Sequence, residues 1–305
     1  MAWVSHLRAT WTHLKHSPQP RRRATTLPDT RTIALVKLLD EEDAATVHAV
    51  AEALLAVGLQ AIAPLRVAAE SDNARLRARA RLLLDKLLLH EAESELAAMV
   101  AGNTPDLERA LVLLARTEHP ALSLEEVATA LDDLATTAQA AMEGAYSPAN
   151  RVERFVHALF EIERLRGNTS DYYDPRNSMI DAVLERRTGI PISLAAVVML
   201  VGRRCGLTMQ GIGMPRHFLV RITCDGTSFI IDAFGSGQVL TPEACRALLT
   251  GLAPEFRDEF LAPVSDRAML RRVLENLLAT HARNEDLLRV ERFSKLVMAA
   301  QAEVA

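Results

Sequence analysis

The sequence predicts an α+β fold that is mainly helical, with one buried helix laid against a small antiparallel sheet behind an N-terminal helical-repeat scaffold. Three observations predict it. The stretch 191–206, PISLAAVVMLVGRRCG, is strongly apolar around most of its circumference, which marks an interior helix. Three short β-type segments follow it at 207–214, 217–224 and 228–234, separated by PR and by DGT, the latter a hairpin signal. Residues 12–145 contain no Phe, Tyr or Trp, so an Ala/Leu helical front is followed by a back half that owns the larger core.

A chain of 305 residues has room for two domains. With 49% hydrophobic and 24% charged residues and a net charge of −4, it lacks the basic face expected of a nucleic-acid binder. Cys205, Cys224 and Cys245 are too few and too irregular for a disulfide framework or a zinc pattern, so reduced thiols in a cytoplasmic protein are expected. No metal and no cofactor are expected. No uncharged apolar run reaches the roughly 18 residues of a transmembrane helix.

Residues 1–30 read as a basic, disordered arm. Trp3, Val4, Leu7, Trp11 and Leu14 follow helical spacing within it, and no acid precedes Asp29. Docking of residues 1–16 to a membrane surface or a partner is the functional reading of that stripe; a frayed arm is the plainer one. From 31 to 94 the pattern is helical and repetitive: ALVKLLDEED at 34–43 realigns with APLRVAAESD at 63–72, and Leu54 and Leu55 fall on Leu83 and Leu84. Each unit is a helix, an acidic turn and a second helix, similar to short HEAT-type repeats. The remaining chain, 95–305, is read as one domain. Ser123 with Glu126 three residues on forms a capping box, and Val152, Phe155, Val156, Leu159 and Phe160 share a helix face. Two further helices close the chain near 266–282 and 285–301, the first carrying Arg267, Arg271 and Arg272.

His217 and Asp232, at the start of one strand and the end of the next, have the spacing of a base and the acid that orients it. A nucleophile would complete them at the N-terminus of the buried helix, where backbone N–H groups and the helix dipole stabilise a thiolate or oxyanion. Ser193 lies in that first turn, either as a nucleophile or as a hydrogen-bonding partner for the local backbone. The second cluster is DYYDPRNS: Tyr172, Tyr173, Asp174, Arg176, Asn177 and Ser178 form either an ordered capping loop or one wall of a cleft facing His217. Arg216, beside the histidine, is a candidate for an anionic group.

A buried helix, a strand bearing His and a strand bearing Asp resemble the papain-related, transglutaminase-like core. More narrowly, GNTSDYYDPRNSMIDAVLERRTGIPISLAAV, GIGMPRHFLVR and IDAFGSG resemble the SirB-type, core-2 branch of that superfamily, over residues 95–300. The resemblance implies a cysteine in a GxC turn at the helix start. Counting back from Gly206, that position holds Pro191, in GIP. A degenerate, non-catalytic module that binds a protein or peptide is therefore the first expectation. The alternative is an acyl-transfer hydrolase or amidase using Ser193, His217 and Asp232, which requires the serine hydroxyl within about 3–4 Å of the imidazole.

Overall fold

The computed structural model describes residues 29–102, 105–250 and 256–301. The apolar stripe of the arm lies outside the described residues. The chain divides into two compact units, Met1–Ala80 and Arg81–Ala305.

The described part of the first unit is all helical. Helix α1 (Thr30–Lys37) starts where Asp29 accepts a hydrogen bond from the Arg31 N–H, and a 3-10 turn, Leu38–Asp40, follows it. Asp43 caps α2 (Ala44–Val57) by accepting from the Thr46 N–H at 2.8 Å. Gly58, at φ 68°, ends α2 in a conformation that costs a β-carbon dearly. After a short turn come α3 (Ile62–Ala68) and α4 (Ala74–Ala101), the latter started by the Asn73 side chain accepting from the Arg75 and Leu76 N–H groups. The order helix, acidic turn, helix thus occurs twice. Arg79 ties the two together, donating to the carbonyls of Leu39 and Glu41 at 2.7 Å each. Among the described residues, Ala44–Ala68 is long and apolar enough to cross a membrane by length and composition. It contains Glu52 and Arg66, and the Gly58 turn interrupts it.

The second unit opens with α5 (Leu107–Arg116), α6 (Leu124–Met142) and α7 (Pro148–His157), of which α6 packs on the central helix. The capping box of Ser123 and Glu126 forms at the start of α6. A π-turn, Ala158–Ile162, continues α7, and two-residue strands β1 (Arg166–Gly167) and β2 (Thr188–Gly189) pair in parallel around α8 (Ile180–Arg186). The central helix is α9 (Pro191–Arg204); every residue from Ile192 to Gly202 is buried. Burying one Val or Leu stabilises by about 1.5–3 kcal/mol, so α9 is the chief apolar anchor of the unit.

The sheet that packs on α9 consists of β3 (Thr208–Ile212), β4 (Leu219–Cys224), β5 (Thr227–Asp232), β6 (Gln238–Leu240) and β7 (Pro263–Val264), in the order β6-β5-β4-β3-β7 and antiparallel throughout. The DGT turn is a tight hairpin with Asp225 at φ 45° and Gly226 at φ 78°, both left-handed as a two-residue turn requires. Helix and sheet meet closely at Gly202, where a β-carbon would stand 2.5 Å from the Met209 sulfur. The sheet has two faces. Val220, Ile222 and Ile231 belong to the core around α9, whereas Ile212, Leu219 and Leu240 form a smaller core with Cys245 and Leu249. Cys245 sits on α10 (Pro242–Ala247). Helices α11 (Asp266–Arg283) and α12 (Leu287–Gln301) complete the chain.

Candidate functional site

The first turn of α9 is fully occupied by its own backbone. Pro191 takes the first helical position, where its missing N–H costs nothing. The Ser193 hydroxyl accepts from the Ile190 N–H at 3.1 Å and donates to the Asn177 carbonyl at 2.5 Å. Asn177 is wholly buried; its amide donates to the carbonyls of Asp171 (2.7 Å) and Tyr172 (3.2 Å) and accepts from the Asn168 amide at 2.9 Å. Asn168 in turn accepts from the Asp171 N–H and the Ser170 hydroxyl. The result is a satisfied buried network, Asn168–Asn177–Ser193, that fastens loop 168–178 to the start of the helix. A satisfied network of this kind rigidifies, because every alternative leaves a dry polar group.

His217 and Asp232 are near each other along the sheet but are not joined to the serine. The Val220–Ile231 pairing, continued one step, sets Leu219 opposite Asp232. Leu219 and Ile230 pack in the smaller core, and Arg221, of the same parity, donates to the Leu261 carbonyl at 3.0 Å on that side. Alternation along β5 therefore turns Asp232 toward α10, away from α9. Consistent with this, burial and then the Asp232 charge push the Cys245 thiol up. The Asp232 carboxylate accepts from the Phe234 N–H at 2.9 Å, closing the turn that follows β5. His217 is half-buried; its backbone N–H donates to the Met214 carbonyl, and its ring makes no hydrogen bond among the described residues. The serine–histidine–aspartate relay is thus not formed. Ser193 lacks the predicted imidazole contact because its two strongest hydrogen bonds are to Ile190 and Asn177. Asp232 lacks its predicted role because strand parity points it to the far face.

The DYYDPRNS loop divides by burial. Asp174 caps the 3-10 turn Pro175–Ser178, accepting from the Arg176 N–H at 3.0 Å, and also pairs with the side chains of Arg176 (2.9 Å) and Arg186 (3.3 Å). Burial alone would raise its carboxyl, but the Arg176 hydrogen bonds and the two guanidinium charges outweigh it and hold the group below the usual carboxylate range. Asn177 and Ser178 are buried and present no surface. Tyr172 and Tyr173 are 39% and 45% exposed and meet edge to face at 5.3 Å. Tyr172 also meets Phe234 edge to face at 6.1 Å. Arg176 and Arg216 are exposed, Arg216 at φ 62° in the turn before β4.

Two groups that the sequence reading did not single out complete this surface. The Arg272 guanidinium lies 5.6 Å over the Phe218 ring, and Arg283 lies 4.2 Å over Tyr173. Burial pulls Arg272 below the usual arginine value, and the charges of Tyr172 and Glu275 offset part of that. Burial, then Tyr173, raises the Tyr172 phenol, while Arg272 lowers it. The arginine series on α11 was the available signal, but the spacing of Arg271 and Arg272 alone does not say which of them turns inward.

No thiol substitutes for the missing nucleophile. Cys205 ends α9 and burial pushes it up to about 11; burial also raises Cys224 and Cys245. All three are free and buried. Among the described residues no group of three His, Cys, Asp or Glu side chains is placed to hold a metal ion.

With this geometry in view, comparison with known proteins is informative. A profile described as the transglutaminase-like superfamily matches residues 125–275. A UPF0162 protein of Xylella fastidiosa (strain Temecula1) is 32% identical over 207 residues, covering 66% of this chain and 74% of that protein. A UPF0162 protein of Vibrio cholerae is 28% identical over 193 residues, 62% of this chain and 69% of that protein. The mouse F-box only protein 21 is 34% identical over 131 residues, 40% of this chain but only 20% of that much longer protein. No solved structure matches the chain.

Proposed function

This chain belongs to the UPF0162 family and carries a transglutaminase-like superfamily domain, and we propose that the domain works as a non-catalytic module that binds a protein or peptide segment. The observation that carries this reading is the commitment of the Ser193 hydroxyl to Asn177 and Ile190. A nucleophile must meet substrate and give its proton to a base; here the single O–H donor is committed to the Asn177 carbonyl and the hydroxyl is buried. The same network supports a rigid wall whose outer side is the exposed pair Tyr172 and Tyr173. Large, stiff aromatic groups of this kind are what peptide-binding surfaces use as anchors, since they bury much area for little lost entropy. Asp174, Asn177 and Ser178 act behind that wall; Tyr172, Tyr173, Arg176, Arg216 and His217 are the groups that meet the ligand. The SirB-type branch, a HEAT-like front that presents partners and a cytoplasmic location belong to the same proposal. The free thiols favour that location, and the twice-occurring helix–turn–helix order favours the HEAT-like front.

The test is selection of ligands from a displayed random-peptide library with the full chain, followed by fluorescence anisotropy on the selected peptides. Tyr173→Ala is expected to weaken binding at least tenfold, and Tyr146→Ala, an exposed tyrosine elsewhere, to leave it unchanged. A serine-directed fluorophosphonate that labels the wild type but not Ser193→Ala would overturn the non-catalytic reading.

A further inference from the structure

Several partly buried arginines of the second unit are provided with carboxylates. Arg187 holds Glu163, Arg203 holds Asp266, Arg204 holds Glu108 and Asp132, Arg289 holds Glu118, and Arg292 holds Glu93. Arg272 differs from these. It is half-buried, and it makes no hydrogen bond and no ion pair among the described residues. The nearby acid on its own helix, Glu275, lies 3.5 Å from Arg271 instead. Its Nη1 would stand 3.5 Å from a β-carbon on Gly213, in the turn that leads to His217. Phe218 lies beneath the guanidinium, and Tyr172 is close enough for each to shift the other's titration.

A guanidinium taken partly out of water without a hydrogen-bonded carboxylate is costly, and one aromatic face returns only about 0.5–2 kcal/mol. Five N–H donors in a planar fork suit a carboxylate held by two parallel bonds. We propose that Arg272, set between the 213–218 turn and the tyrosine loop, is the anchor for a carboxylate of the bound peptide. This deepens the peptide-binding reading and rests on it. The chemistry favours a carboxylate over a phosphate, because a dianion would call on several cations at one point. Here Arg216, in the 213–218 turn, and Arg283, over Tyr173, are exposed and belong to the rim. Tyr172 supplies a hydroxyl beside the fork, and Tyr173 and Phe234 supply apolar walls for the residues next to the acid. The carboxylate is either the chain end of the peptide or an acidic side chain.

The experiment uses the full chain and four fluorescein-labelled random peptide pools. One is free of Asp and Glu and ends in a free acid; one is the same but ends in an amide. A third contains Glu and ends in an amide, and a fourth contains phosphoserine in place of the acid. Either the first or the third pool is expected to bind at least tenfold tighter than the second, and which of them does so identifies the source of the carboxylate. In Arg272→Gln that preference is expected to fall to within twofold. Arg272→Lys, which keeps the charge and the stem but not the fork, retains part of it. Arg246→Gln, an exposed arginine paired with Asp258 beside the smaller core, leaves it intact. Thermal melts of Arg272→Gln at or above the wild-type temperature are also expected, since an unpaired, desolvated charge is removed. Persistence of the acid preference in Arg272→Gln, or tightest binding of the phosphoserine pool, overturns the assignment. Binding that depends on Tyr173 but is equal for the acid and amide pools overturns it too while leaving the cleft reading standing. Failure of every pool to bind sinks both.

Discussion

Ser193→Ala separates the two roles open to this hydroxyl. Its removal breaks one hydrogen bond from the Ile190 N–H and one to the Asn177 carbonyl, at a residue only 5% exposed. Each net hydrogen bond is worth about 1 kcal/mol, and a buried group left without a partner costs about 1–3 kcal/mol. The Ile190 N–H retains only a long contact of 3.5 Å to the Asn177 carbonyl, and that carbonyl has no other donor of comparable quality. The space is tight on the Gly189 side, where a β-carbon would stand 2.6 Å from the Ser193 hydroxyl and 3.3 Å from Leu194 and Val183. The expected loss is therefore about 2–3 kcal/mol, or a fall in melting temperature of about 5–10 °C for a unit of this size. Urea denaturation with a two-state fit gives the free energy, and an unchanged m-value shows that the native state is still compact. A variant within about 0.5 kcal/mol of wild type, the range of an ordinary surface substitution, would refute the structural role and return the serine to the list of candidate nucleophiles.

Three further outcomes follow from the same contacts. Asn177→Leu removes the hub that holds Asp171, Tyr172 and Asn168, and should cost more than Ser193→Ala, about 3–5 kcal/mol if several buried groups are orphaned; equal stability in urea would contradict the network. His281, buried and stacked on Phe293 at 5.3 Å, has its titration lowered from 6.5, first by burial, with Arg289 and Arg292 adding to it and Asp286 and Glu118 opposing. The folded state thus binds fewer protons than the unfolded one, so its contribution is complete above pH 6.5 and is lost as pH falls toward the depressed value; melts between pH 8 and 5 should show that slope, and His281→Gln should flatten it. Pro191→Cys places a thiol at the helix start, yet Asp232 faces the other side of the sheet, so any hydrolysis of activated esters should be indifferent to Asp232→Ala; a rise that Asp232→Ala abolishes would contradict the face assignment.

Much of the frame was readable because it rests on patterns longer than one residue. The apolar run of α9 has only one stable environment, and the GIP start and Gly206 end mark its limits. The DGT turn carries its own backbone requirement, and Ser123 with Glu126 states a helix start outright. The small strands β6 and β7 and the π-turn after α7 were not readable. Two- or three-residue pairings have no period, and they exist because a neighbouring strand or helix is already in place.

The site was less legible than the frame for a specific reason: each assignment turns on the direction of a single side chain. In SFIID, Ile230 and Ile231 are both apolar, so alternation along β5 carries no sign, and the face of Asp232 follows only from the partner register with Val220. Ser193 has the same residue type whether it caps or attacks; what decides is Asn177, sixteen positions upstream, whose carbonyl reaches it. Arg271 and Arg272 stand at four and three residues from Glu275, both favourable helical spacings. Only the tertiary placement of α11 gives the acid to Arg271 and turns Arg272 toward Phe218 and Gly213. The same ambiguity that hid Arg272 in the sequence gives it its proposed use, because the neighbour that takes Glu275 leaves the inward arginine unpaired.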